Sequence, residues 1–291
     1  MTLSGVSPNA APCLALDIGA TKVDAGVVSL DGTILCQERL SVSDYNNDLI
    51  TPIISMLQQL RSGFDISTLG VGCAGPMTKG GEEVSPLNIP QWRNFPLRSV
   101  LQQELAIEVF IEGDARALAL AEGVFGAAKN KSSYISMVVS TGIGGGIVMN
   151  GKLLDGETGN AGHVGHIIVI PDGSLCSCGA QGCLEAEASG WAIQSSTGTS
   201  AKDADSATRY RTADLVGRGI GTLCSVLDIS DCYVAGSVAL GFGDEFFDIA
   251  TKSARSIAKL QYSEGIEIQR SGLHDSGPLL GAALVGFRGA Q

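Results

Sequence analysis

Hydrophobic residues recur along this chain in short runs that end at glycine turns, and the arrangement occurs twice. In the first half, CLALDI at 13–18 is followed by a glycine turn and VDAGVVSL, and Asp31-Gly32 marks a hairpin turn before TILCQERL. In the second half, YISMVVS at 134–140 precedes TGIGGG, and GIVMNG ends in the hairpin turn Asn150-Gly151. Short apolar runs between turn residues predict strands. The repetition predicts a duplicated α/β unit.

Segments with apolar residues at helical spacing lie between these strands and four further strand-like runs. The predicted helices cover 46–62, 96–106, 115–126, 184–195, 212–228, 245–260 and 278–290. The further strands are predicted at 69–77, 107–114, 231–237 and 265–271. Strands that alternate with helices are typical of an α/β fold.

Composition and charge narrow the functional classes. Of 291 residues, 44% are hydrophobic and 17% charged, which predicts a packed core. The net charge of −11, without a basic block, argues against binding to nucleic acid or to an anionic membrane. The sequence has no apolar stretch of membrane-spanning length and no signal-peptide pattern at its N-terminus. Five cysteines lie singly in apolar runs, as in a reduced, cytoplasmic protein.

Cysteine and histidine are concentrated in the stretch AGHVGHIIVIPDGSLCSCGAQGCLE. The best ligand set for a metal ion is His166, Cys176, Cys178 and Cys183, because Cys3His is a structural zinc set. Glycines between the cysteines permit tight backbone turns around an ion. The alternative is a group of buried thiols that are neighbours by chance. A closed four-ligand shell predicts a zinc ion that shapes the site without catalysing.

The two glycine turns offer a second kind of chemistry. Backbone N–H groups and the hydroxyls of Thr21 and Thr141 could hold phosphate oxygens without net positive charge. The alternative is a pair of ordinary hairpins. TGIGGG also resembles a dinucleotide fingerprint, but a strand follows it and not a helix.

Two acids stand at strand ends. Asp114 lies where a predicted strand meets a helix, so it is either a helix cap or a general base for phosphoryl transfer to a hydroxyl. Asp17 is either a plain strand-end acid or a residue that orients Mg²⁺ or its water shell.

Motifs over nearly the whole chain, from about Leu14 to about Gly286, resemble the ROK family of sugar kinases and sugar-responsive repressors. They are ALDIGATK, GVGCAGPM, LNIPQW, GDARALALAEG, STGIGGGIVMNGKLLDG, GNAGHVGH, CSCGAQGCLEAEASG and GPLLGAALVG. The resemblance implies an actin-like ATPase (ribonuclease H-like) fold with two α/β domains and a cleft between them. It implies ATP, Mg²⁺ and zinc as cofactors, a sugar substrate and a homodimer. The domains are expected at 1–114, with helix 278–291 packing back on it, and at 115–277.

The resemblance also implies a role for individual residues. Asp114 would be the catalytic base, and His166 with the three cysteines of the cluster would bind zinc. The sugar would be bound by Gly75, Asn88, Asp114, His163 and Glu185, with His166 close by. The nucleotide and its phosphates would be bound by Asp17, Gly19, Thr21, Lys22, Thr141, Gly142 and Gly236.

Two departures from the family pattern bear on the substrate. His163 replaces the usual glutamate, as in the bacterial kinases of N-acetylmannosamine, and neutral histidine can donate a hydrogen bond where carboxylate cannot. Gly113 replaces an asparagine that would contact sugar hydroxyls. The first phosphate turn begins at residue 17, which leaves no room for the repressors' helix-turn-helix domain and favours a kinase. We therefore expect a kinase of the N-acetylmannosamine 6-hydroxyl; the alternatives are a glucokinase, an N-acetylglucosamine kinase or a weakly catalytic sugar sensor.

Overall fold

The predicted strands of the first half form one five-stranded sheet in the computed structural model, which describes residues 11–19, 21–45, 48–87 and 89–290. Its strands are β1 (Cys13–Ile18), β2 (Lys22–Val28), β3 (Ile34–Ser41), β4 (Thr68–Cys73) and β5 (Glu108–Gly113). They are ordered β3-β2-β1-β4-β5. The first three are antiparallel neighbours, and β4 and β5 run parallel to β1.

The second half repeats this topology. Its strands are β6 (Tyr134–Val139), β7 (Ile143–Met149), β8 (Lys152–Leu153), β9 (Asp231–Ala235) and β10 (Glu267–Arg270). Their order, β8-β7-β6-β9-β10, matches that of the first sheet, with antiparallel pairs on one side of β6 and parallel pairs on the other. The predicted α/β fold with a duplicated unit is confirmed.

Helices connect and cover these strands. They are α1 (Ile50–Leu60), α2 (Leu97–Leu105), α3 (Asp114–Val124), α4 (Leu184–Ala188), α5 (Gly190–Thr197), α6 (Ser206–Leu227), α7 (Ser237–Gly241), α8 (Asp244–Ile257) and α9 (Gly277–Gly289). The predicted helix at 184–195 is divided, because Ser189 is extended and its side chain caps α5 by accepting from the N–H of Ala192. The helix predicted from residue 212 begins earlier, since Asp205 caps it by accepting from the N–H of Thr208 at 2.8 Å.

The glycine-rich stretch TGIGGG also differs from its prediction as a turn. The turn comprises only the residues 140–142, and the glycines 144–146 lie inside β7. Glycine in a strand interior permits a close approach of another backbone. That approach is made here by the segment that leads into the cysteine cluster.

Contacts divide the chain into two compact units. The first comprises Met1–Lys129, Asp155–Ala161 and Leu273–Gln291, and the second comprises Asn130–Leu154 and Gly162–Gly272. The first boundary therefore falls later than the predicted residue 114. The physical reason is that α3 packs against α9 within the first unit.

Each unit has its own hydrophobic core around its sheet. In the first, α9 packs directly on β4, and a Cβ atom at Gly70 would lie only 1.9 Å from the carbonyl oxygen of Ala282. In the second, α6 and α8 pack together beside the sheet. None of the helices in the described ranges combines the length and the apolar character needed to cross a bilayer.

Candidate active site and metal centre

The parallel strands of the first sheet end side by side. Ile18 is in register with Cys73, and Cys73 with Gly113, so β1, β4 and β5 finish at one edge. Asp114 directly follows the third of these ends, and Gly75 lies two residues beyond the second. Ligands of α/β sheets bind at the carboxyl ends of parallel strands. The predicted base therefore lies at an edge suited to a substrate.

Asp114 is the first residue of α3 and is half-buried. The N-cap position belongs to Gly113, so the simple helix-cap interpretation of Asp114 does not describe its position. Its Oδ1 accepts a hydrogen bond from the N–H of Ala115 at 2.7 Å. A carboxylate in the first helical turn is stabilised by the helix dipole.

Asp17 lies close to Asp114. A Cβ atom built at Gly72 would lie 3.1 Å from Oδ1 of Asp17 and 3.5 Å from Cα of Asp114. Asp17 is only 6% exposed. Burial and the charges of Asp114 and Asp24 raise the pKa of Asp17 to about 8, although the charge of Lys22 opposes them. The folded protein therefore favours the protonated form of this carboxyl up to about that pH.

The first glycine turn is closed by a hydrogen bond from the N–H of Gly19 to the carbonyl of Lys22 at 3.0 Å. Thr21 is exposed in this turn, as a phosphate-binding hydroxyl must be. Lys22 is already paired, because its Nζ lies 2.9 Å from Oδ2 of Asp24, which also binds Arg39. A phosphate would have to compete with Asp24 for this ammonium group.

The second turn is held by the start of α5. The N–H groups of Gly190 and Trp191 donate to the carbonyls of Ser140 at 2.8 Å and Thr141 at 3.1 Å. Thr141 is exposed. This packing fixes the backbone of the second turn, whereas the first turn is held by the N–H of Val42, which donates to the carbonyl of Thr21 at 3.0 Å.

Glu185, predicted to face the sugar, bonds to this second turn. Its Oε2 accepts from the N–H of Ile143 at 2.8 Å, and a Cβ atom at Gly142 would lie 2.7 Å from the same oxygen. Gly236 is equally constrained, with a φ of +101° and with the carbonyl oxygen of Val139 only 2.3 Å from where its Cβ atom would stand. The structure thus brings Glu185, the predicted phosphate turn and Gly236 together on the second sheet.

The four predicted metal ligands form one cluster. Nδ1 of His166 lies 3.6 Å from Sγ of Cys176, and Sγ of Cys178 lies 3.7 Å from Sγ of Cys183. All four ligand atoms lie within 4.8 Å of one another. A tetrahedral zinc ion with ordinary Zn–S and Zn–N lengths requires ligand separations of roughly 3.5–3.8 Å. The cluster therefore fits zinc in donor type and spacing.

The loop that carries the cysteines is a tight backbone structure. The N–H of Cys176 donates to the carbonyl of Ala180 at 2.8 Å, and the N–H of Gly179 returns to the carbonyl of Cys176 at 2.9 Å. Gly182 has a φ of +75°, and a Cβ atom there would lie 1.7 Å from the carbonyl oxygen of Ile170. Only glycine fits this position.

Sequence reasoning missed the ion pair that anchors this loop. Glu187 accepts from the N–H of Ser174 at 2.6 Å and pairs with Arg211 at 2.5 Å. Burial alone would raise the pKa of Glu187, but these two partners hold it below its usual range. Its place two residues after Glu185 gave no sign of this role, because Arg211 is distant in sequence.

His163 is exposed and lies outside the four-ligand cluster. Its ring centroid is 6.0 Å from that of His166, at an interplanar angle of 30°. Asn88, the predicted sugar ligand with a side-chain amide, lies outside the described residues.

Two α/β units whose separate sheets share one strand order, each with a glycine turn at the first hairpin, define the actin-like ATPase fold. Within that class, the chain belongs to the ROK family, whose sequence model matches residues 13–286. Family membership and fold are thereby confirmed as the motifs predicted.

Relatives with two activities resemble this chain. A glucokinase of Streptomyces coelicolor is 36% identical over 209 residues, which are 72% of this chain and 65% of that protein. An N-acetylmannosamine kinase of Haemophilus influenzae is 30% identical over 289 residues, covering 93% of this chain and 94% of that protein. The crystal structure of a ROK family glucokinase from Streptomyces griseus, in complex with glucose and AMPPNP, superposes with a TM-score of 0.84 at 29% identity. That match covers 95% of this chain and 99% of the other.

Proposed function

We infer that this protein is an ATP-dependent sugar kinase that phosphorylates the 6-hydroxyl of N-acetylmannosamine. The observation that carries the kinase assignment is the carboxylate of Asp114 at the carboxyl edge of the first sheet, next to the buried Asp17. Family membership and the likeness to a glucokinase structure with bound glucose and a nucleotide analogue support it.

Asp114 would accept the proton of the attacking hydroxyl. Phosphoryl transfer needs one carboxylate within hydrogen-bond reach of that hydroxyl and electrostatic stabilisation at the phosphate. Asp17 would hold Mg²⁺ or its water shell, and the ion would neutralise charge on the phosphates. Because Asp17 is buried beside Asp114, the arrival of a cation would favour release of its proton.

The two glycine turns would bind the phosphates of ATP. Thr21 and Thr141 would donate their hydroxyls, and Gly19, Gly142 and Gly236 would allow the backbone to approach closely. A protein with a net charge of −11 must bind a polyanion through such local donors.

Zinc bound by His166 and the three cysteines would be structural, because four protein ligands leave no position for water. Leu184 and Glu185 directly follow the last of these ligands in α4. The metal would therefore hold Glu185 and, through the preceding segment, His163 in the orientations that bind sugar.

The preference for N-acetylmannosamine rests on the alignment with its kinase over nearly the full length and on His163. The exposed imidazole can donate a hydrogen bond to an acetamido carbonyl or to an axial hydroxyl. The competing candidate is a glucokinase. The identity to the Streptomyces coelicolor glucokinase, 36%, is higher than the 30% to the N-acetylmannosamine kinase, but it extends over fewer residues.

A coupled ADP-release assay over hexoses and N-acetylhexosamines tests the assignment. We expect the highest kcat/KM with N-acetylmannosamine, and His163→Glu should shift the preference towards glucose. Higher kcat/KM with glucose in the wild type would replace the first candidate by the second. Sugar binding without turnover of any sugar would contradict both and indicate a sensor.

Elemental analysis tests the metal. We expect about one zinc per chain, as for a structural site with four ligands. Cys178→Ser should lower the zinc content and the affinity for sugar together, whereas Cys36→Ser, at a thiol of β3 outside the cluster, should change neither. Full sugar affinity in a zinc-free protein would contradict the structural role.

A further inference from the structure

A seven-residue segment leaves the second unit and joins the first. Residues Asp155–Ala161, here called the strap, lie in the chain between β8 and the segment that begins at Gly162. The strap closes on itself, because the N–H of Ala161 donates to the carbonyl of Asp155 at 3.1 Å. It is therefore a small loop with joined ends.

One arginine holds both ends of the strap. Nη2 of Arg116 lies 2.9 Å from Oδ1 of Asp155, and its Nη1 donates to the carbonyl of Ala161 at 2.7 Å. The Arg116 side chain is only 6% exposed. A buried, planar guanidinium with a partner at each end of a loop is a rigid clamp.

Arg116 is itself held by a carboxylate on the preceding strand. Glu112, on β5, binds it in a bidentate manner, with 2.6 Å from Nε and 3.1 Å from Nη2. Gly113 leaves room for this arrangement, because a Cβ atom there would lie 3.2 Å from Cδ of Arg116. The clamp thus begins two residues after Asp114 on the same helix.

A second contact ties the strap to the first unit independently. Asn160 pairs with the backbone of Met77 in both directions, accepting from its N–H at 3.2 Å and donating to its carbonyl at 2.9 Å. The backbone directly after the strap is also constrained. Gly162 has a φ of +102°, and a Cβ atom there would lie 2.7 Å from the carbonyl oxygen of Gly145.

We propose that Arg116 is a positioning residue for sugar binding, which rests on the proposed function. By holding Asp155 and Ala161, it fixes the backbone that reaches His163 two residues later. Within the described residues, the strap's hydrogen bonds to other elements go to Arg116 and Met77 and not to the predicted nucleotide residues, so its release should weaken the binding of sugar and leave the binding of nucleotide unchanged.

The test compares Arg116→Ala and Asp155→Ala with Arg98→Ala in the full-length protein. Arg98 is a matched control, because it also binds a carboxylate (Glu82) and a backbone carbonyl (Val109) within the first unit, but it does not touch the strap. Amide hydrogen exchange reports on the strap. Steady-state kinetics report KM for sugar, KM for ATP and kcat separately.

We expect Arg116→Ala to speed exchange in residues 155–163 and to raise KM for sugar about tenfold, as loss of one charge-assisted hydrogen bond permits, with KM for ATP unchanged. Asp155→Ala removes only an exposed partner and should give a smaller change of the same kind, without risk to folding. Arg116→Lys should recover part of the sugar affinity, because lysine keeps the charge but lacks the planar guanidinium that can donate to both ends of the strap.

Unchanged exchange of the strap in Arg116→Ala would overturn the proposal, and so would equal losses of sugar and ATP affinity. A rise in KM for sugar of the same size in Arg98→Ala would also overturn it. If the wild type phosphorylates no sugar, the proposed function fails, whereas the positioning role is still judged by equilibrium binding of N-acetylmannosamine to the same variants.

Discussion

At equivalent positions of the two first hairpins, the two sheets carry different residues. In the first hairpin, Asp17 of β1 faces Asp24 of β2. In the second, Val138 of β6 faces Gly144 of β7. The strand order and the directions of pairing are the same. Topology therefore sets where a turn lies, while the side chains of the hairpin decide its chemistry.

The two hairpins accordingly serve different purposes. In the first, carboxylates meet at the edge where Asp114 begins α3, and the result is a buried acid with a raised pKa. In the second, glycine replaces side chains, so that Val164 can lie on β7 and the segment towards the metal ligands can pack on the sheet. The first sheet therefore carries acids at its edge, and the second carries glycines on which the segment before the cysteine cluster packs.

The largest effect should come from the first sheet. Asp114→Asn keeps the size of the side chain but removes the proposed base, and kcat should fall by about 10³-fold, within the range known for general bases. The binding of sugar and ATP and the midpoint of urea unfolding should remain close to those of the wild type. A variant that retains more than about a tenth of the wild-type kcat would show that the base lies elsewhere.

The next effect is a pH dependence specific to the first hairpin. Unfolded Asp17 titrates near its ordinary pKa of about 3.9. The folded protein therefore holds an extra proton between that pH and about 8. Stability from this proton is complete at low pH and is lost as the pH rises through the window, by up to about 1.4 kcal/mol per pH unit.

Asp17→Asn removes this dependence, because an amide cannot ionise. Urea unfolding at pH 6 and pH 8, without nucleotide or divalent cations, should show the wild type losing about 2 kcal/mol relative to the variant. Parallel pH profiles for the two proteins would mean that Asp17 is ionised throughout, and the contrast between the hairpins would weaken.

A smaller effect is expected from the glycines of the second hairpin. In Gly145→Ala, the new Cβ atom would lie 2.7 Å from Cγ2 of Val164 and 3.0 Å from the carbonyl oxygen of Ser136. Overpacking of this kind should cost about 1.5 kcal/mol of unfolding free energy, measured in urea, and should lower the zinc content.

The equivalent residue of the first hairpin provides the control. Ala25 occupies the position that corresponds to Gly145 and is fully buried. Ala25→Gly should lower stability by about 0.5–1 kcal/mol and leave the zinc content unchanged. If Gly145→Ala matched the wild type in both measurements, the packing role of the β7 glycines would be wrong.

The smallest effect concerns the ion pair under the metal loop. Arg211 is half-exposed, so its pair with Glu187 is partly screened, and Arg211→Ala should cost at most about 1 kcal/mol. Because the pair anchors the loop through Ser174, zinc should be lost to a chelator about fivefold faster, the factor that 1 kcal/mol allows. Arg218→Ala, which breaks a similar exposed pair on α6, should leave that rate unchanged.

Local patterns were enough to predict much of the fold. Apolar runs such as CLALDI became strands at almost the predicted bounds, and the repeated strand–turn–strand pattern revealed the duplicated sheet. The cluster of His166, Cys176, Cys178 and Cys183 was predictable as well, because its members lie close together in the sequence and share one chemistry. These features depend on periodicity, turn residues and donor types, which sequence alone displays.

Other features depended on partners distant in sequence. The boundary of the first unit moved beyond α3 because that helix packs against α9, and the glycines of TGIGGG became part of a strand because β6 pairs with them. The Glu187–Arg211 anchor and the Arg116 clamp on the strap were not visible in any local motif.

The sequence by itself determined the α/β class, the repeated sheet, the family and the cluster of histidine and cysteines that could bind a metal ion. The tertiary structure alone decided which carboxylate is buried beside Asp114 and which arginine clamps the ends of the strap. The physical reason is that hydrophobic periodicity and turn propensity act over a few residues. Burial, charge–charge distance and the fit of a guanidinium between two acceptors exist only once distant segments have packed together.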